Sequence, residues 1–483
     1  MDLAPLLEDL IGSEPFERLL LERARPIVAH ADAGHDFVAA ALAGSLDAPV
    51  LVVTPDPREA DSLAHGAAAY LGENRTAAFP AWEALPYEGI NPGAEIASRR
   101  AQAVRALRQA SGAFVLAAPA TAVVQRIVPD LGRTDPLVLV RGTETPLEAV
   151  GGRLVELGYV RADIVEHRGE FAVRGGVLDV FPGTQRRPVR AEFWGEEIES
   201  LRSFVPATQR SADPLAVAEI HPVRELVPTP ALQQRAAELA PRFVDHYRDL
   251  LTRFADGLVF EGSETLAPLL FERMPTLPEL LPAGGWAVLV RARRTEDRAR
   301  QAVDDARALA EASRWPGPDV VVGLEEALGR RTRLHLSEFA EGIDLGLASW
   351  GTAQGNAPEL ANRLAELHRR HHRVVVAASA HGSLERAREV VAEAGLRLVE
   401  GDPSADAIAI ETDLAGGFVF GPGRLAVATE EDLFGSRRHT RSAPRLTRRR
   451  TDAVAAELLP GGFAVHRVHG VGRFIGIRRR AIA

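Results

Sequence analysis

The sequence has no cysteine and no lysine. Without cysteine there is no disulfide framework and no thiolate-ligated zinc. That composition suits the cytoplasm, which is the expected location. All 57 basic residues are arginine, as a GC-rich genome would encode. One consequence is chemical: no lysine is available to a phosphate-binding loop. Long apolar runs are missing too. None approaches the ~20 residues that a membrane-spanning helix needs, so no membrane partner is expected. The acidic start MDLAPLLEDLIGSEPFE lacks the basic, apolar pattern of an export signal. Positive charge in excess is also absent. The formal net charge is -9, unlike that of most non-specific DNA clamps, although a local basic patch remains compatible with it.

What is present points to a multidomain α/β protein. The 483 residues fit roughly three or four domains at ~100–200 residues each. A hydrophobic content of 46% supports sizeable cores. The chain is organised around HRGEFAVRGGVLDVFP, which ends at Pro182, and VRAEFWGEEIESLRSF, from Val189 to Phe204. Val177, Asp179 and Phe181 alternate with Leu178 and Val180, the period of two that a strand needs. Arg174-Gly175-Gly176 predicts a turn or a bulge. Val189, Ala191 and Phe193 line one face of the next strand, and Arg190, Glu192 and Trp194 the other. A large aromatic beside an arginine is the composition of binding hot spots. The plainer reading is a solvated strand face with a stacked Arg–Trp pair.

Residues 1–142 read as alternating strands and helices, hence a parallel sheet with right-handed crossovers. The expected helices are Leu6 to Leu21, Asp36 to Leu46, Pro57 to Tyr70 with Asp56 as N-cap, and Glu95 to Ala110. The strands are Pro26 to Ala29, Val50 to Val53 and Ala113 to Ala118. Residues 143–212 read as a β-rich domain opened by a short helix that stops at Gly158. Residues 213–325 return to α/β, with a helical Leu232 to Ala255, a strand Ala287 to Val290, a helix Thr295 to Ser313 and a strand Val320 to Val322. Residues 326–432 form a further α/β unit, with strands at Leu334–Leu336, Val374–Ala378 and Leu425–Thr429. Its helices are Pro358 to Arg370 and Ser383 to Ala394. His368, His371 and His372 cluster there. They read either as a metal site or as the basic end of a helix, and no carboxylate stands at ligand spacing.

Residues 433–457 are an arginine-rich linker: FGSRRHTRSAPRLTRRR carries seven arginines and no acid. A solvated linker and contact with an anionic partner are both open. Residues 458–483 read as the opening strands of a small β domain. The expectation is a piece of a longer protein.

The loop His30 to Asp36 lies between a strand and a helix, where GxxxxGK[ST] would cradle phosphates. Aligned on Gly34, the lysine position holds His35 and the hydroxyl position holds Asp36. A mostly neutral imidazole and a carboxylate there oppose phosphate and magnesium. No ATP hydrolysis is expected from this loop.

RGxFxVRGxxxDxFP, followed by an R-x-x-F-aromatic strand, resembles the second domain of the excision-repair protein UvrB and of the bacterial transcription–repair coupling factor. Phe79 to Arg100 (FPAWEALPYEGINPGAEIASRR) resembles the first domain of the coupling factor. Leu458 to Ile477 (LLPGGFAVHRVHGVGRFIGI) resembles the start of its RNA-polymerase-interacting domain. The resemblance is to the N-terminal, non-motor part of that family.

Several expectations follow from the resemblance. The β-rich domain is an insertion, and residues 213–325 complete the first sheet. The loop at Gly34, His35 and Asp36 is a degenerate nucleotide site. The Tyr-rich hairpin of UvrB is replaced by a direct run from Pro86-Tyr87-Glu88 to Gly89-Ile90-Asn91-Pro92. UvrA is the docking partner, met by Arg174, Arg190 and Trp194; the family more often has Phe at the last. Truncating either arginine is expected to weaken docking without lowering the melting temperature. The β subunit of RNA polymerase is a partner through the domain beginning near 458. DNA, ATP and magnesium belong to the motor of the longer family protein, and no cofactor or catalytic residue is expected here. Autoinhibition would come from holding the UvrA face against other domains. The other readings are a UvrB-like ATP-dependent damage-recognition helicase and a plain α/β interaction protein.

Overall fold

The computed structural model describes residues 3–23, 25–84, 87–400, 405–435, 463–466 and 470–473. The fold is α/β. Its first layer is a seven-stranded, wholly parallel sheet. The strand order is Ile343–Asp344, Ile27–His30, Arg333–Ser337, Trp286–Val290, Pro49–Thr54, Phe114–Pro119 and Thr76–Ala78. The central run Val50 to Val53 is apolar at every position because both faces are covered. Val50 and Val52 enter one core, and Leu51 and Val53 enter the other.

Trp286–Val290 pairs with Pro49–Thr54, so chain beyond residue 280 completes a sheet begun before residue 60. Two local expectations change. Leu334–Leu336 lies in this first sheet, between Ile27–His30 and Trp286–Val290, and not in the unit that follows it. Val320 to Val322 forms no strand; Val321 makes one isolated bridge to Gln125. Both segments have strand composition, and only the available neighbours decide between them.

Two long helices are also broken. Pro5–Ile11 and Glu14–Leu21 replace a single helix, because Gly12 ends the first and Ser13-Glu14-Pro15 starts the second. Pro230–Leu239 and Asp245–Ala255 are likewise separate, with Pro241 in a 3-10 turn between them. Asp56 does cap the helix Pro57–Leu71, its Oδ1 accepting from the Glu59 amide at 3.1 Å.

The inserted β module is closed at its neck by the antiparallel pair Leu137–Val140 and Val217–Ile220. Its body is a six-stranded sheet in the order Arg210–Pro214, Glu197–Val205, Val189–Trp194, Val177–Val180, Glu170–Arg174 and Val160–Arg161. Leu178, Val180, Val189, Ala191, Ile198 and Leu201 fill its main core with the helix Leu147–Glu156.

The module is tied to the first sheet through Phe79 to Arg100. The Arg100 guanidinium is fully buried, donates Nε–H to Glu225 Oε1 at 2.6 Å and lies 4.2 Å from the Phe79 ring centre. Trp82 Nε1 donates to the same oxygen at 2.8 Å. Glu264 accepts from the Glu225 amide. Burial, then the neighbouring Glu225, pushes the Glu264 carboxyl up to about 8, so it is neutral at pH 7.

A third sheet follows, in the order Leu347–Ala348, Phe418–Phe420, Leu425–Thr429, Arg373–Ala378, Ala407–Glu411 and Val399–Glu400. Phe418, Phe420, Leu345 and Leu347 share one core with the helix His35–Leu46. At the end of helix Ala357–Arg369, His371 takes φ 63°, the left-handed position of a helix stop. Phe463–His466 and Gly470–Arg473 pair as antiparallel strands. The arginine-rich run from Ser436 to Arg450 lies outside the described residues.

Candidate docking site

Strand alternation sorts the module into a buried and an open face. Cross-strand partners share a face, and the register pairs Ala172 with Asp179, Asp179 with Arg190 and Arg190 with Arg202. The next row along holds Arg174, Val177, Glu192 and Ser200. Trp194 follows two residues later, opposite Glu197. Arg174, Arg190 and Trp194 are therefore on one face, as the alternation predicts.

Their environments differ. The Trp194 side chain is 78% exposed. Arg174 is 52% exposed, and its Nη2 reaches Asp179 Oδ2 at only 3.4 Å. Arg190 is 19% exposed. Its Nε and Nη2 donate to Asp179 Oδ1 and Oδ2 at 2.7 and 2.8 Å, a two-pronged ion pair. Its third nitrogen donates to the Gln209 carbonyl at 3.1 Å, and the guanidinium lies 4.8 Å from the Phe204 ring centre. The hydrogen bond to Asp179 holds Arg190 above the ordinary arginine range.

Asp179 itself is 2% exposed and sits beside the small core of Val165, Ala172, Phe181 and Phe204. It is the residue that pattern reading passed over, counted only as one position in an alternation. The available signal was a carboxylate inside the apolar run Val177 to Phe181, with arginines on the flanking strands. Arg190 thus braces the sheet. The expectation that its removal leaves the melting temperature unchanged conflicts with this geometry, because losing it strands a buried carboxylate.

The altered phosphate loop is filled from within. Gly34 takes φ 69° and opens the helix His35–Leu46. The helix's first amides point where an anion would bind, but Asp36 supplies that anion. Its Oδ1 accepts from the Phe37 amide at 3.0 Å, and its Oδ2 from the Ala415 amide at 3.3 Å. Burial pushes the Asp36 carboxyl up to about 6. Only glycine fits at Gly66, where a Cβ would lie 2.1 Å from Asp36 Oδ2.

His35 donates Nε2–H to the Ala31 carbonyl at 3.1 Å, and burial pushes the imidazole down to about 4. It carries no charge at neutral pH. The Phe418 ring covers Gly34, reaching within 3.0 Å of where a Cβ would stand, and stacks on Phe37 at 5.0 Å. Among the described residues no group of His, Asp and Glu is placed to hold a metal ion. No described helix is long and apolar enough to cross a membrane.

The UvrB interaction domain family matches residues 137–226, which run from the neck strand Leu137–Val140 to just past its partner. Over nearly the whole chain, the sequence is similar to several curated transcription-repair-coupling factors. That of Mycobacterium bovis is 32% identical over 99% of this chain and 43% of its own length. That of Myxococcus xanthus is 28% identical over 93% of this chain and 42% of its own. That of Escherichia coli K12 is 28% identical over 89% of this chain and 40% of its own. The chain thus spans about two fifths of these relatives.

Proposed function

We propose, from the premise that this chain corresponds to an N-terminal region of a transcription-repair-coupling factor, that its β module recruits UvrA to RNA polymerase stalled at DNA damage. The observation that carries the reading is Trp194. It is a 78% exposed indole on the face that also presents Arg174, inside the stretch matching the UvrB interaction domain. An exposed aromatic beside a guanidinium is the usual anchor of a protein interface. Trp194 and Arg174 meet the partner, and Arg190 braces the same face through Asp179 while offering its exposed edge.

The β subunit of RNA polymerase is the second proposed partner, for the stretch beginning near Leu458. DNA, ATP and magnesium belong to the motor of the longer protein. Within that protein, covering the Trp194 face with other domains would hold recruitment off until polymerase is engaged. The test is calorimetric titration of this chain with UvrA. Saturable binding that Trp194→Ala weakens supports the reading; no binding at tens of micromolar overturns it.

A further inference from the structure

The seven-stranded sheet has a cleft at its amino ends that the docking function does not use. It encloses about 960 Å³ beside the starts of Trp286–Val290, Arg333–Ser337 and Ile27–His30. Arg25, Arg126, Arg273, Arg330 and Arg331 line it, together with Trp286. The carboxylates in its wall are Glu279 and Glu326. Each holds one arginine: Arg126 Nη2 meets Glu326 at 2.8 Å, and Arg273 meets Glu279.

Arg25, Arg330 and Arg331 make no ion pair among the described residues. Arg25 Nη1 points at the Thr332 hydroxyl, 3.4 Å away, and Arg331 donates to the carbonyls of Leu281 and Pro282. Hydroxyl and carbonyl bonds orient a guanidinium without cancelling its charge. The cleft is therefore electropositive in a chain whose formal net charge is -9.

We infer that this cleft binds the phosphodiester backbone of nucleic acid, single-stranded in preference to duplex. Guanidinium forks match phosphate oxygens in pairs. Trp286 is the half-buried aromatic on the wall, and it gives an unpaired base a surface to stack on. An acidic protein segment is the weaker fit. Ala327 and Leu328 in the wall are buried, and the exposed Ala283 is a single methyl, so the wall offers no pocket for the apolar side chains that anchor protein partners.

The experiment is fluorescence anisotropy of the whole chain with a labelled single-stranded oligonucleotide, the matching duplex and a poly-glutamate peptide, over a salt series. The variants are Arg25→Glu with Arg330→Glu, and Arg307→Glu as a control. Arg307 is exposed on the helix Ala292–Ala312, away from the cleft. The arginine-rich run after Phe434 is common to all three proteins, so differences report the cleft. The double variant is expected to bind the single strand at least about tenfold more weakly. Its log–log salt slope should be shallower by roughly one to two. Wild type should prefer the single strand to the duplex and to poly-glutamate, and the control should match wild type. Binding by the double variant equal to wild type overturns the inference, as does poly-glutamate binding as tightly as the oligonucleotide. A melting curve matching wild type shows that the double variant is folded, and a loss of binding then counts for the cleft. If it melts early, Arg330→Glu alone, on an exposed side chain, carries the same comparison.

Discussion

Arg190 clasps Asp179 across two neighbouring strands, with both carboxylate oxygens held at 2.7 and 2.8 Å. The pair is not equally buried: Asp179 is 2% exposed and Arg190 19%. Removing the arginine leaves a buried carboxylate whose remaining contact is Arg174 at 3.4 Å. Arg190→Ala should therefore destabilise the module by ~3 kcal/mol, read by urea denaturation. The same truncation in an Asp179→Ala background should cost much less, since no buried charge is then stranded. Additive costs in that cycle would refute the brace.

Arg174 and Trp194 should behave in the opposite way. Arg174 makes one long, half-exposed ion pair, worth about 0–1 kcal/mol. Trp194 is exposed at 78% and contributes little to the core. Trp194→Ala and Arg174→Ala should keep the wild-type unfolding midpoint and bind UvrA at least about tenfold more weakly, a loss of ~1.4 kcal/mol. Wild-type affinity in both variants would move the docking face elsewhere.

ATP turnover should stay at background, with or without DNA. His35 is uncharged, Asp36 occupies the Phe37 amide in the helix's first turn, and Phe418 covers Gly34. Restoring the motif by His35→Lys with Asp36→Thr should not by itself create nucleotide binding, because the Phe418 ring remains. DNA-stimulated phosphate release that His35→Ala abolishes would contradict this account.

Glu264 makes stability depend on pH in a predictable direction. Its folded value, about 8, lies above the ordinary carboxyl value of 4.5. Between those values the folded state keeps a proton that the unfolded state has lost. Unfolding free energy from this group then falls as pH rises, by roughly 1.4 kcal/mol per pH unit at most, and levels off above pH 8. Glu264→Gln, which keeps an oxygen to accept from the Glu225 amide, should flatten the decline between pH 5 and 8. An unchanged slope would place the proton elsewhere in the Arg100–Glu225–Glu264 group.

Much of this molecule follows from local chemistry. The alternation from Val177 to Phe181 and from Val189 to Trp194 decides which side chains share a face, because successive strand residues point opposite ways whatever surrounds them. His35 and Asp36 already remove the charge and hydroxyl that a phosphate loop needs, since residue type alone determines that chemistry. Long-range partners are a different matter. Nothing near Leu334 in sequence says that its strand slots beside Ile27, because the parallel first sheet and the mixed third sheet both accept an apolar strand and only packing selects one. Nothing near Gly34 announces the Phe418 ring above it. The same holds at the docking face. Sequence puts Arg190 and Trp194 side by side, but only the folded sheet brings Asp179 beside one of them from the neighbouring strand. That contact turns one arginine into a brace and leaves the indole free.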